Sequence, residues 1–157
     1  MNDINKPCDD NLGGLYRFNF IPVTEVQKIA EPIGCRVLEP LETTSIGRWY
    51  ECYASEGTMK FTEDLQQSDQ GDYHKVKLSA FIPKDRTDIG EQLEKMRGKD
   101  FIIDYIDNNG HRKLIGRLDT PLRFTYSLDT GSTVANINGH KIEFYGDILK
   151  KSPTYFI

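Results

Sequence analysis

From Tyr73 to Pro83 the chain reads YHKVKLSAFIP, with Val76, Leu78, Ala80 and Ile82 alternating against Lys75, Lys77 and Ser79. A period of two sends the apolar set to one face of a strand and the polar set to the other. LYRFNFI has the same pattern, with Tyr16, Phe18 and Phe20 set against Arg17 and Asn19. CRVLEP, RWYECYAS, TMKFTED, FIIDYID, HRKLIGRL, LRFTYSL, TVANI, HKIEFYG and TYFI also read as strands. Glu56-Gly57, Asn108-Asn109-Gly110, the run Asp129 to Ser132, and Asn138-Gly139 separate neighbouring strands as hairpin turns. Turns this short join antiparallel strands, so the prediction is a meander. Alternation implies that each sheet has one covered face and one wet face.

One segment has helical spacing. In KDRTDIGEQLEKMRGKD, Ile89, Leu93 and Met96 form an i, i+4, i+7 stripe. Asp88 is placed to cap, with Glu91 three residues on, and Gly98 stands where a helix ends. VTEVQKIAEPIG is ambiguous: Thr24 and Gln27 resemble a capping box and Pro32 limits the length, which favours a short helix or turn, while its Val, Thr and Ile also suit a strand. LQQSDQGD is a polar loop closed by Gly71. The fold class is therefore mainly β, an antiparallel β-sandwich or barrel with one short helix (residues 88–97) packed on it. Residues 1–14, with Pro7 and Gly13-Gly14, read as a flexible N-terminal arm before a single β-rich domain, 15–157.

Composition narrows the chemistry. The chain of 157 residues carries a net charge of -4 and its basic residues are scattered, which argues against specific nucleic acid binding. No apolar run approaches a membrane helix, and the first residues have no basic-then-apolar leader, so a soluble, cytoplasmically made protein is expected. Three cysteines, Cys8, Cys35 and Cys52, include no Cys-x-x-Cys and read as small hydrophobes or loosely placed thiols. His74, His111 and His140 lack metal-ligand spacing, and the last two adjoin predicted turns, where a ring is solvated. No metal or cofactor is expected.

Asp104 interrupts the apolar run FIID and would share a face with Ile102 and Ile106. It reads either as a general base of raised pKa or as a structural charge, guarding an edge or paired with a neighbouring strand. No Gly-x-Ser-x-Gly elbow, phosphate loop or complete calcium loop is present, so no enzyme signature stands. Among the aromatics, Tyr145 follows Phe144 and should face outward with Glu143 and Lys141. The segment SPTYFI is apolar enough either to add a strand to its own sheet or to dock on a neighbour. Tyr145, Tyr155, Phe156 and Ile157 are thus the candidate subunit contacts.

Three features carry a resemblance: Leu114-Ile115-Gly116 before Pro121-Leu122-Arg123-Phe124, the Thr130-Gly131 turn leading to Asn-Gly and an Ile-Glu-Phe strand, and the loop ending in Gly71 before a long strand and helix. Over residues 56–157 the chain resembles small structural proteins of Bacteroides-type phages and prophages, tail-tube-like β-sandwiches. The resemblance implies a non-enzymatic, tail-associated virion component. It would form homo-oligomeric rings, commonly hexameric, join other tail proteins through arms and loops, and reside in the cytoplasm during assembly and then in the virion. Two further readings stand beside it. One is a monomeric β-barrel binding module for a carbohydrate or small ligand, using exposed tyrosines. The other is an enzyme built on Asp104 and a histidine.

Overall fold

The strand Asp100–Asp107 organises the molecule, because five consecutive residues of it, Phe101 to Tyr105, are buried. A strand covered on only one face would bury alternate residues, so this one has a core on each side. The computed structural model describes residues 11–133 and 135–157. In chain order it contains β1 (Leu15–Pro22), β2 (Val26–Lys28), β3 (Arg36–Val37), β4 (Glu42–Thr43), β5 (Tyr50–Glu51), β6 (Lys60–Gln66) and β7 (Tyr73–Pro83). The helix α1 (Thr87–Met96) follows, then β8 (Asp100–Asp107), β9 (Arg112–Ile115), β10 (Leu122–Asp129), β11 (Gly139–Ile148) and β12 (Thr154–Tyr155). The fold is mainly β, with one α-helix packed on a curled sheet, as the alternation predicts.

The main ladder runs β3-β12-β9-β8-β10-β11-β7-β6, with β1 on the other edge of β8 and β5 beside β1. Twist curls it until its far ends meet. Phe61 on β6 lies 4.9 Å from Tyr105 on β8, ring centre to ring centre. Glu63 on β6 accepts a 2.7 Å hydrogen bond from the Ser152 amide ahead of β12. On the other side, the segment after β5 links β1 to β7 through Cys52 N–H to Phe18 O and Ser55 N–H to Phe81 O. The interior is filled by Phe18, Phe20, Phe101 and Phe144 with the aliphatic face of β7. A second cluster, Ile21, Val26, Val37, Leu41, Ile102, Leu114 and Tyr155, lies on the opposite face of β8 beneath residues 22–49.

Several expectations are corrected. Tyr16 does not share the core face with Phe18 and Phe20: a bulge between Leu15 and Arg17 against β8 turns Leu15 inward, leaving Tyr16 68% exposed. The VTEVQKIAEPIG segment opens on the expected short turn, a 3₁₀ turn at Val23–Glu25, and goes on as the strand β2. The helix begins one residue before the expected start, and Arg86, which makes no side-chain capping bond, occupies the cap position instead of Asp88. Gly98, at φ 73°, does end it. The sheet is not a simple meander, since β11 pairs with β7 and β12 runs parallel to β3.

Between Thr130 and Asn138 no strand forms among the described residues, so the described part of TVANI, Thr133 and 135–137, belongs to a loop. Asn138-Gly139 is not a turn either, because Gly139 already pairs with Asp129 and Pro83. A Cβ at Gly139 would lie 2.2 Å from the Ile82 carbonyl oxygen and 2.7 Å from the Phe81 ring, so close approach of backbones requires glycine there. Residues 12–14 are tied down: Leu12 exchanges two 2.8 Å hydrogen bonds with the Asn109 side chain, and Asn108 donates to Gly13 O. Residues 1–10 of the predicted arm, with Cys8, lie outside the described residues.

Gly139→Ala is expected to lower stability by about 1–3 kcal/mol, an overpacking cost in a ladder that cannot widen. Urea unfolding checks this, with Gly13→Ala, which has no positive φ and meets no atom within 4 Å, measuring the change in chain freedom alone.

Candidate functional site

Asp104 is 1% exposed, and the two-sided burial of β8 explains why. Its neighbours along the strand, Ile103 and Tyr105, point into the main core, so Asp104 points with Ile102 into the outer cluster. There Arg112, on the adjacent β9, meets it bidentately: Nε to Oδ1 and Nη2 to Oδ2 are both 2.7 Å. Asn19 on β1 donates to Oδ2 at 3.2 Å. Both carboxylate oxygens are thereby engaged. The Arg112 pKa is raised, first by the hydrogen bond to Asp104, against the opposing effect of burial. The geometry matches the structural alternative, a carboxylate paired with a neighbouring strand.

The same arginine holds the last strand. Its guanidinium lies 4.8 Å from the centre of the Tyr155 ring and donates to Ile157 O. Tyr155 is 4% exposed, and its hydroxyl accepts a 3.0 Å hydrogen bond from the Leu41 amide. Burial pushes the Tyr155 phenol pKa up. SPTYFI therefore adds a strand to its own sheet, and Tyr155, a candidate subunit contact, has its side chain in its own chain's core. The other three candidates remain at the surface: Tyr145 is 41% exposed, Phe156 54% and Ile157 51%. Arg36 covers part of Phe156, 5.4 Å from the ring centre.

The histidines are not all solvated. His140 is 3% exposed, because it opens β11 opposite Ile82, and its Nε2 lies 3.2 Å from Asp85 Oδ1. The expectation of a turn-exposed ring rested on Asn138-Gly139 being a turn. His74 and His111 are far from it on other elements: His74 Nδ1 sits 3.9 Å from Glu63, and His111 follows the β8–β9 turn. Among the described residues no three His, Cys, Asp or Glu side chains converge as metal ligands, and no helix is long and apolar enough to cross a membrane. Burial drives the Cys52 thiol pKa up to about 12, which leaves it a poor nucleophile.

The layer β6-β7-β11-β10 offers a different kind of surface. Its outer face carries Lys77, Glu143, Lys141 and Tyr145, with Tyr145 flanked by Lys77 and Arg123 across its two neighbouring strands. Lys77 and Lys141 bind Glu143 at 2.9 and 3.0 Å. Among the described residues, β6 pairs through its backbone only with β7, with Glu63 held by the Ser152 amide and Lys113, and β10 beyond Arg123 pairs only with β11. Leu65 (53% exposed) and Leu128 (47%) stand on these two free edges. Alternation identifies Tyr145, but the free edges emerge only from strand order, which the sequence does not state.

Two measurements follow from this geometry. Arg112→Ala leaves a buried, unpaired Asp104 and should cost about 3 kcal/mol in urea unfolding, whereas Asp104→Leu with Arg112→Leu should recover most of that loss. The Glu143 pKa is lowered, first by its hydrogen bond to Lys77. Its stabilising effect is then complete above the ordinary carboxylate value and is lost as the pH falls through the depressed one. Glu143→Gln should lower neutral-pH stability by about a few tenths of a kcal/mol and flatten the acid limb of the thermal midpoint.

No protein-family model, no curated protein and no solved structure matches this chain significantly.

Proposed function

We propose that the chain is a non-enzymatic, tail-associated structural protein of a phage or prophage that works by self-assembly. The observation that carries this reading is the pair of free strand edges on one four-stranded layer, β6 on one margin and β10 on the other. Among the described residues each edge bears backbone groups with no ladder partner, and an exposed leucine, Leu65 or Leu128. An unpaired edge is a template for another strand, and two different edges on one subunit make a head-to-tail contact that can close into a ring. Tyr145, Phe156 and Ile157 supply further exposed apolar surface. The engagement of both Asp104 oxygens supports the non-enzymatic part, because the most suggestive carboxylate already has its partners. The sequence resemblance over residues 56–157 supplies the tail context.

Light scattering behind a sizing column, across a wide concentration range, tests the assembly. The expected result is a species several times the monomer mass, growing with concentration. Leu65→Lys and Leu128→Lys should each shift it toward monomer by about tenfold in concentration, with the far-ultraviolet circular dichroism unchanged. A protein that stays monomeric at every concentration, from a gene apart from other phage structural genes, would overturn the reading.

A further inference from the structure

Beside α1 the curled sheet leaves a cleft of about 740 Å³. Phe20 and Ile142 form its floor, Ile89, Leu93 and Met96 of α1 one wall, and Tyr50 the other. The volume falls within the range of roughly 300–1,000 Å³ that organic ligands occupy, and mostly apolar walls with a few polar groups are their usual setting. The rim is charged unevenly. Arg48, Lys84 and Arg86 line it, against a single carboxylate, Glu51. Arg48 is held over the Tyr50 ring, 4.9 Å from its centre. Arg86 pairs with Asp88 at 3.3 Å, but both side chains are more than half exposed, so that pair holds the arginine only weakly. Behind Arg48, Glu25 accepts from the Arg48 amide and the Tyr50 hydroxyl, so the positive charge of the rim rests mainly on Lys84 and Arg86.

A second, independent observation falls on the same rim. Lys84, at φ 67°, is the one residue other than glycine with a positive φ among the described residues. That conformation favours glycine, and a side chain there is strained. The strain is held in place by the Lys84 amide, which donates to Asn138 O at 2.7 Å. Strained backbone of this kind is kept at ligand clamps more than elsewhere. A lysine where glycine would relax the chain places an ammonium group at the mouth of the cleft.

We propose that this cleft is a binding site for a small organic anion with an apolar body, a long-chain or aromatic monocarboxylate. Its hydrocarbon part lies on Phe20, Ile142 and Leu93, and its carboxylate meets Lys84 and Arg86. The site goes beyond the assembly reading and does not depend on it. An apolar body alone would leave the three cations without purpose, and a cation would meet them as like charge.

Titration calorimetry of the full chain with dodecanoate, and with dodecyltrimethylammonium as the charge-reversed control, tests it below the micellar range. Dodecanoate should bind with one-to-one stoichiometry and the cation should not. Lys84→Gly separates binding from folding, because it removes the charge and relieves the strain together. This variant should melt no lower than the parent and bind dodecanoate about tenfold more weakly, the loss of one charge-assisted contact. Gln92→Trp, at an exposed position on the cleft wall, should fill the space and abolish binding without unfolding the protein. Equal binding of both amphiphiles, no binding of dodecanoate, or variants that bind like the parent would each overturn the proposal. A dimer that Gln92→Trp dissociates, with no dodecanoate uptake, would also overturn it and assign the cleft to a second copy of the chain.

Discussion

A buried carboxylate cannot stand alone, and the outer half of this protein is arranged around that constraint. Asp104 sits in the middle of the most buried strand, so its charge has to be met by a partner already in place. Arg112 meets it from β9 and Asn19 from β1, which fixes the register of the three adjacent strands as firmly as the ladder does. The guanidinium then serves as a platform for Tyr155, and Tyr155 anchors Leu41. One ion pair thus connects β1, β8, β9, β12 and the segment that covers the outer cluster. A partner lost from such a pair costs more than the pair contributes, because the remaining charge keeps its desolvation penalty.

The main core is held differently, by shape. Phe144 contacts Phe18, Phe20, Phe101 and Phe124 at ring separations of 5.0–6.1 Å, mixing edge-to-face and tilted geometries. These rings come from β1, β8, β10 and β11, so a single aromatic cluster fastens the four neighbouring strands at the centre of the curled sheet. The helix closes this core with Leu93 and Met96 and leaves the cleft beside it. The polar outer faces and free edges of the β6-to-β10 layer then face outward. The cleft opens onto core residues, Phe20, Ile142, Leu93 and Met96, whereas Leu65 and Leu128 on the edges do not line it, so a ligand in the cleft and a neighbour on an edge would meet different residues.

The local patterns of the sequence translate well where one face of an element is buried. Val76, Leu78, Ala80 and Ile82 point inward as their alternation requires, and the helix stripe of Leu93 and Met96 packs where its spacing places it. Asn108-Asn109-Gly110 makes the expected turn, with Asp107 Oδ1 accepting from the Asn109 and His111 amides. Patterns set by distant chain are not legible in this way. Tyr16 looks like a core residue until a bulge against β8 reverses it, and Gly139 looks like a turn residue until the Ile82 carbonyl is seen beside it. Asp104 could be read as paired but not with whom, because Arg112 reaches it through strand register. His140 followed the misread turn. The cleft was invisible for the same reason: its rim residues lie on segments that only the fold brings together.

The parallel pairing of β12 with β3 has a consequence for how the chain is made. Thr154 and Tyr155 pair in register with Arg36 and Val37, through Thr154 N–H to Cys35 O and Phe156 N–H to Val37 O, so the outer cluster stays uncovered until Tyr155 has been synthesised. Leu12 likewise waits for Asn109, and β1 for β8. Contacts of such long sequence separation slow folding, since loop closure precedes any reward. On the ribosome, Ile21, Val26, Val37 and Leu41 emerge early and remain wet while their partners are still being added, a window in which a holding chaperone would find its grip.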